Sequence, residues 1–247
     1  MAIIYFNSAT MQPRFIKWKV ENNAILVDTN QGPVMIDTGI GLHDHESPTL
    51  KVRFLRFLFR MPYAPQETAI HRVEQMGIDP QNVKNIVLTH LHFDHTGGIS
   101  DFPWTKIHVH KREYEAMMKP RKFLEIFGYD KKDIAHHPEF VFYENCSKKW
   151  FEYDAIPLPF EPIIYLIPLF GHTRGHCGVA IQDGDNWIFQ KGDGIVARAG
   201  HHIRPAWLNR MIMGNQAEKV QNFAKKHPEV HIVAGHSVQK YEKSTFG

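Results

Sequence analysis

Four apolar, β-rich runs in this chain end alike, and that repetition limits what it can fold into more than any other feature. "NIVLTH" ends on His90, and "IIYLIPL" runs into "GHTRGH" to deliver His172. "NWIFQKGD" ends on Asp193, and "VHIVAGH" ends on His236. Each terminal side chain is metal-friendly and has glycine close by. Strand ends are where rigid scaffolds present functional side chains. A lone histidine there is usually structural or exposed. Here the first run opens "THLHFDHTGG", which crowds His90, His92, Asp94 and His95 into six positions. A packed core has no use for four adjacent groups of this kind. Four separate placements added to that cluster read as one metal centre gathered from distant parts of the chain.

The bulk properties set the frame. The 247 residues suffice for a substantial core, with 43% apolar content. No repeat, low-complexity tract or linker divides the chain, so residues 1–247 are expected to form one domain. Strands interleave with helical patterns such as "ETAIHRVEQMG", "KREYEAMMK" and "NQAEKVQNFAKKH", which argues for α/β layers. The formal charge of +3 does not demand a nucleic-acid partner. "HKREYEAMMKPRK" mixes acids with bases and reads as a solvated helix face, without a platform of stacking aromatics. The 17 histidines are the compositional outlier. Cys146 and Cys177 fit neither a disulfide framework nor a thiolate zinc site. The start "MAIIYFNSAT" has no signal-peptide pattern, and no run reaches the length of a membrane span. A reducing, cytoplasmic setting is the expectation, without stable membrane association.

One segment stands apart. "TLKVRFLRFLFRM", residues 49–61, sets Arg53, Arg56 and Arg60 as a narrow basic stripe on a helix whose remaining surface is nearly all apolar. A core-packing helix with a solvated edge is the favoured reading. A lid over a pocket or a homodimer contact is the next, and membrane-surface binding is a minor alternative. The aromatic-rich "KKWFEYDAIPLPFEP" could wall an apolar pocket beside the metals, although core packing explains the same residues.

"THLHFDHTGG", "GHTRGH", "GD" and "GH", in that order, resemble the metallo-β-lactamase superfamily, over nearly the whole chain from "VMIDTG" to "VAGHS". The resemblance implies an αββα four-layer sandwich with the metal site at one edge between the two sheets. It implies that His90, His92 and His172 hold one metal, that Asp94, His95 and His236 hold a second, and that Asp193 bridges them. His176 then stands behind the ligands or lines the pocket, and Asp37 of "VMIDTG" braces a ligating histidine. Neutral imidazoles with few carboxylates suit two zinc ions, and iron or manganese would also accept these donors.

Two divalent ions about 3.5–4 Å apart can share a hydroxide that is nucleophilic at neutral pH. The implied reaction is hydrolysis of a small-molecule ester, thioester, lactone, amide or phosphodiester, with Asp94 able to shuttle a proton to the leaving group. Branch features narrow the choice. HxHxDH, and not HxExDH, argues against the oxygen-reducing di-iron branch. Aspartate at 193 disfavours a true β-lactamase, which usually carries cysteine or serine there. The eleven residues after His236 leave no room for the helical domain typical of glyoxalase II. The pattern is most similar to the compact acyl-homoserine lactonases, with one departure. Where those place a tyrosine three residues after the bridging aspartate, this chain has Val196, and His201 and His202 are the candidates to contact substrate instead. Thioester hydrolysis or phosphodiester cleavage on the same fold is the alternative. From other classes come a mononuclear iron enzyme of the persulfide-dioxygenase kind and a non-catalytic metal-bound scaffold.

Overall fold

The computed structural model describes residues 2–14, 19–194, 197–198, 201–202 and 216–237, with the backbone alone at 197–198, 201–202 and 237. The first sheet begins with a long antiparallel pair, β1 (Ile3–Met11) and β2 (Val20–Val27), whose register shifts between Asn7 and Ala9 so that Ser8 bulges. β3 (Val34–Ile36) runs antiparallel to β2. β4 (Asn85–Val87), β5 (Lys106–His110) and β6 (Glu139–Tyr143) then add in parallel. Parallel neighbours need crossover connections, and helices supply them. α1 (Leu42–Glu46), α2 (Leu50–Phe59) and α3 (Ala69–Gln75) link β3 to β4. The short α4 (Phe93–Thr96) links β4 to β5, and α5 (Lys111–Met118) and α6 (Phe123–Gly128) lead on to β6.

The second sheet is an antiparallel meander of β7 (Lys148–Trp150), β8 (Tyr153–Pro157), β9 (Ile164–Pro168), β10 (Cys177–Asp183) and β11 (Asn186–Gln190). Beyond it come the two-residue strands β12 (Ala197–Arg198) and β13 (His201–His202), then α7 (Gln216–Lys226). β14 (Val230–Val233) pairs in parallel with β11, and β15 (His236–Ser237) closes the described chain.

Side-chain alternation sorts these elements into four layers. In β2, Ile25 and Val27 face the second sheet and pack with Ile164, Leu166, Val179, Ile181 and Val233. Ala24 and Leu26 point the other way, onto Ala69 and Val73 of α3 and Ala116 and Met117 of α5. With both faces covered, the strand reads as a continuous apolar run. The second sheet does the same: Val179 and Ile181 face inward, while Ala180 meets Val220 and Phe223 of α7. Phe223 is almost fully buried among Trp150, Tyr153 and Phe189. Truncation to alanine there would cost about 3–5 kcal/mol. The result is the αββα sandwich expected.

Two crossings between the sheets position the site. β1 lies along one edge of β2, and the other edge is shared end to end: β3 takes Ile25–Val27, and β15 takes Glu21 and Asn22. The chain therefore leaves the second sheet at Val233 and enters the first at His236. It makes the same passage between β11 and β12, with Asp193 on the turn between them. Both residues fall beside the ends of β3 and β4, at the rim where the sheets meet.

Two expectations need correction, and one open alternative is decided. The 49–61 segment is a helix, capped by Thr49 accepting from the Val52 N–H, but it is not a core helix. Within the helix Leu50–Phe59 only Val52 and Leu55 are buried, against Ile40, Met61 and Phe93, while Leu50 is 82% and Phe57 64% exposed. Apolar side chains around nearly the whole helix cannot all meet a neighbour on one side. The stretch "KKWFEYDAIPLPFEP" supplies Trp150 and Tyr153 to the layer under α7, so core packing is the reading that holds. The charge run on α5 is not wholly solvated, since Glu113 is completely buried. Among the described residues, no helix is long and apolar enough to cross a membrane.

Candidate metal centre

β4 ends at Val87, and the chain continues through Thr89 and His90 to the one-turn α4, with His92 at its N-cap and Asp94 and His95 on it. The backbone of this connection is fixed from several sides. The Asp37 N–H donates to the Val87 carbonyl, and the Thr38 N–H to the His95 carbonyl, each at 2.9 Å. The Cys177 N–H donates to the Thr89 carbonyl at 2.8 Å, which ties the connection to the second sheet. The Asn22 amide, from β2, donates to the Asp94 carbonyl.

Two sets of donor atoms converge here. One consists of His90, His92, His172 and Asp193, the other of Asp94, His95, His236 and Asp193, and within each set all ligand atoms lie within 4.8 Å of one another. Asp193 belongs to both. His172 Nε2 is 3.1 Å from His92 Nδ1, His95 Nε2 is 3.1 Å from Asp193 Oδ1, and His236 Nε2 is 3.1 Å from Asp193 Oδ2. A cation bonded at about 2.0–2.2 Å to each of two ligands holds them about 2.8–3.6 Å apart, from octahedral to tetrahedral geometry. His90 Nε2, His95 Nε2 and Asp193 Oδ1 are buried without a hydrogen-bond partner. Buried polar atoms are normally paired, so this donor set fits a metal ion.

Protonation states of His90, His172 and Asp193 agree with that fit. At His95 and His236 burial is outweighed by Asp193 and both are raised, so a metal there would displace protons. Burial, helped by neighbouring imidazoles, holds His90 and His172 well below the ordinary histidine range, which leaves their ring nitrogens free to coordinate. Burial would raise Asp193, but His236 and His95 outweigh it and keep the carboxyl well below its ordinary range. Neutral imidazoles and an ionised carboxylate are the forms that bind metals.

Behind the donors stand residues that orient them. Asp37 Oδ2 is 3.0 Å from His95 Nδ1, and the Asp37 carboxylate also accepts from the Thr89 N–H at 2.9 Å. His176 Nε2 accepts the Asp193 N–H at 3.2 Å, so this histidine holds the turn that carries Asp193. Glu113 carries no signal in the sequence beyond its place on the apolar side of α5 with Ala116 and Met117. Its carboxylate accepts from the Leu91 N–H at 2.9 Å, the Tyr129 hydroxyl at 2.9 Å, the Thr173 hydroxyl at 2.7 Å and the Gly175 N–H at 3.0 Å. It clamps the loop of His90 and His92 to the loop of His172. Buried amides do similar work: Asn23 Nδ2 donates to the Ala234 carbonyl at 2.8 Å, and Gln190 Nε2 to the Asn23 carbonyl at 3.3 Å.

His201 and His202 pair as backbone with β12, and their side chains, like Val196, lie outside the described residues. Cys177 is buried, and burial pushes its thiol well above the ordinary range, which agrees with a packing role. A cavity of about 930 Å³ lies away from the donors, lined by polar groups that include His110, Arg112, Arg121, Glu144, Asp154 and Arg174.

Comparison with known proteins adds sequence and fold likeness. A family model described as the metallo-beta-lactamase superfamily matches residues 19–189. A protein of Mycobacterium tuberculosis named probable metallo-hydrolase is 31% identical over 236 residues, which span 89% of this chain and 76% of that protein. The N-acyl homoserine lactonase of Bacillus thuringiensis is 25% identical over 158 residues, 64% of this chain and 56% of its own length. Among solved structures, an N-acyl homoserine lactone hydrolase with N-hexanoyl-L-homoserine at its catalytic metal centre superposes with a TM-score of 0.68 at 18% identity, covering 95% of this chain and 92% of that one. A dizinc quorum-quenching lactonase in complex with the same kind of product gives 0.60 at 16% identity, covering 89% and 73%. At such identities the structural likeness speaks for the fold. The family match runs through the connection that carries His90 to His95, and with the layers and crossings described above it places the chain in the metallo-beta-lactamase superfamily.

Proposed function

We propose that this chain is a metal-dependent hydrolase that opens a lactone or a related carboxylic ester with a pair of divalent cations, zinc foremost. The observation that carries this reading is the pair of donor sets that share Asp193. On this reading His90, His92 and His172 would hold one ion and Asp94, His95 and His236 the other, with Asp193 available to both. Such a pair, when bound, supplies Lewis acidity toward water and toward a substrate carbonyl. The named activities of the metallo-hydrolase and lactonase relatives support the reaction class, and the dizinc neighbour supports the metal.

The chain's own residues contribute orientation and proton handling. Asp94 Oδ2 is 3.2 Å from His236 Nε2 and 4.0 Å from His95 Nε2, and its side chain keeps some exposure to solvent. Its hydrogen bond from His236 offsets burial and lowers its carboxyl below the ordinary range. An ionised carboxylate at the rim of the site can take a proton from the attacking water and return it to the leaving alkoxide. Asp37 and His176 hold the donor side chains in place through the contacts described above.

The test is turnover by purified protein loaded with zinc, manganese or iron, on panels of lactones, thioesters and phosphodiesters. Metal-dependent opening of lactones or simple esters, lost on chelation, is the expected result. Preference for thioesters or phosphodiesters would keep the hydrolase and replace the substrate class. One iron per chain with oxygen uptake would overturn the reading.

A further inference from the structure

A third group of donors lies apart from the centre already described. α1 carries His43 and Asp44, and the single 3-10 turn at Lys131–Ile134 carries Asp133. Asp44 is 1% and Asp133 0% exposed. His43 Nε2 is 3.2 Å from Asp44 Oδ1 and 3.2 Å from Asp133 Oδ1. None of these three atoms has an aligned hydrogen-bond partner, although all are buried.

The outer atoms of the same side chains are held firmly. Asp44 Oδ2 accepts the Gly41 N–H at 3.1 Å, Asp133 Oδ2 accepts the Thr96 hydroxyl at 2.6 Å, and Ser100 Oγ lies 2.9 Å from His43 Nδ1. Outer atoms pinned by neighbours and inner atoms left converging are the arrangement of metal ligands with their supporting contacts. The 3.2 Å separations fall within the span of about 2.8–3.6 Å that two ligands keep around one small divalent ion.

Charge points the same way. Burial raises the Asp133 carboxyl to about 7, so at neutral pH the trio holds protons that a cation would displace. Asp101 adds a further carboxylate, accepting from the Leu42 N–H at 3.1 Å, and Arg56 is turned to the backbone carbonyls of Asp44 and Pro62. A divalent ion with neutral His43 and two carboxylates balances the cluster. One nitrogen and two oxygens suit zinc or manganese better than calcium.

We propose that His43, Asp44 and Asp133 form a further divalent-cation site, for zinc or manganese, that shares no ligand with the His90–His236 centre. Bound there, the ion fastens α1 to the 131–134 turn. Through the bond between Asp133 and Thr96 it braces the residue that follows His95. The competing occupant is a proton: burial opposes charge on His43, yet Asp133 and Asp44 hold it up to about 10.

The experiment compares metal stoichiometry. Full-length protein is stripped by chelation, reloaded with zinc or manganese, desalted and analysed for metal per chain. Wild type should bind one equivalent more than Asp133→Asn and than His43→Gln. Asp193→Asn should lose metal from the other centre and keep this equivalent. Equal metal content in wild type and the two variants, with each metal, would overturn the proposal. If the variants do not fold, crystals of the wild type soaked in manganese decide it. An anomalous-scattering peak between His43 Nε2, Asp44 Oδ1 and Asp133 Oδ1 supports the site. Peaks confined to the other centre overturn it.

Discussion

Thr173 donates its hydroxyl to Glu113 Oε2 across 2.7 Å, while the other oxygen of that carboxylate accepts the Leu91 N–H and the Tyr129 hydroxyl. One side chain thus sets the spacing between the loop of His90 and His92 and the loop of His172. Glu113→Gln keeps the shape but turns an amide N–H toward groups that need an acceptor. Such supporting contacts are worth about 10–100-fold in metal affinity. The expected outcome is a loss of that size in zinc affinity, read by competition with a chromophoric chelator, with far-UV circular dichroism unchanged. Unaltered affinity would assign Glu113 to packing alone.

Asp94→Asn tests the proton-handling role. Removing a positioned acid–base group costs about 10²–10⁴-fold in rate. We expect kcat to fall within that range with KM nearly constant, in samples matched for metal content. A variant that keeps wild-type kcat would remove Asp94 from the chemistry.

Two glycines separate backbone strain from crowding. Gly192 and Gly184 both have φ near +60°, but a Cβ on Gly192 would lie 2.3 Å from His176 Nε2, whereas one on Gly184 meets nothing within 4 Å. Strained backbone of this kind costs about 1–3 kcal/mol at either position. Gly192→Ala should be the more destabilised of the two in urea melts, and it alone should bind less metal, because His176 holds the Asp193 turn. Equal losses in both variants would count against that role for His176.

His108 predicts a part of the acid sensitivity that does not involve the metal centre. It is buried between the Tyr143 hydroxyl at 2.8 Å and Asn85 Oδ1 at 3.0 Å. Burial lowers it from 6.5 to about 4, and Lys106 adds to the effect. The unfolded chain therefore binds the extra proton first as pH falls. The contribution is fully present above about 6.5 and is lost between that value and about 4, amounting to about 3 kcal/mol. Thermal melts from pH 7 to 4 should fall more steeply for wild type than for His108→Gln. Parallel curves would refute the assignment.

The convergence of these side chains was legible because chemistry and punctuation coincide: HxHxDH is dense, and His172, Asp193 and His236 each follow an apolar run beside glycine. The four layers were legible only through family resemblance, since alternation along β2 gives two covered faces without saying what covers them. Glu113 was hidden because its partners come from Leu91, Tyr129 and Thr173, and nothing local marks a glutamate as buried. Asn23 is equally silent, bonding Ala234 from 211 positions away. His43 and Asp44 sit in "GLHDHES", far along the chain from Asp133, so only folding brings that trio together. The 49–61 helix misled because its apolar residues encircle it, and periodicity cannot say which side meets a neighbour.

Asp193 and His236 sit where the backbone passes from one sheet to the other, so neither sheet alone displays a complete set of donors. On the proposed reading, a chain in which the sheets have not docked would present only part of each donor set, so its activity would report that both passages between the sheets are in place.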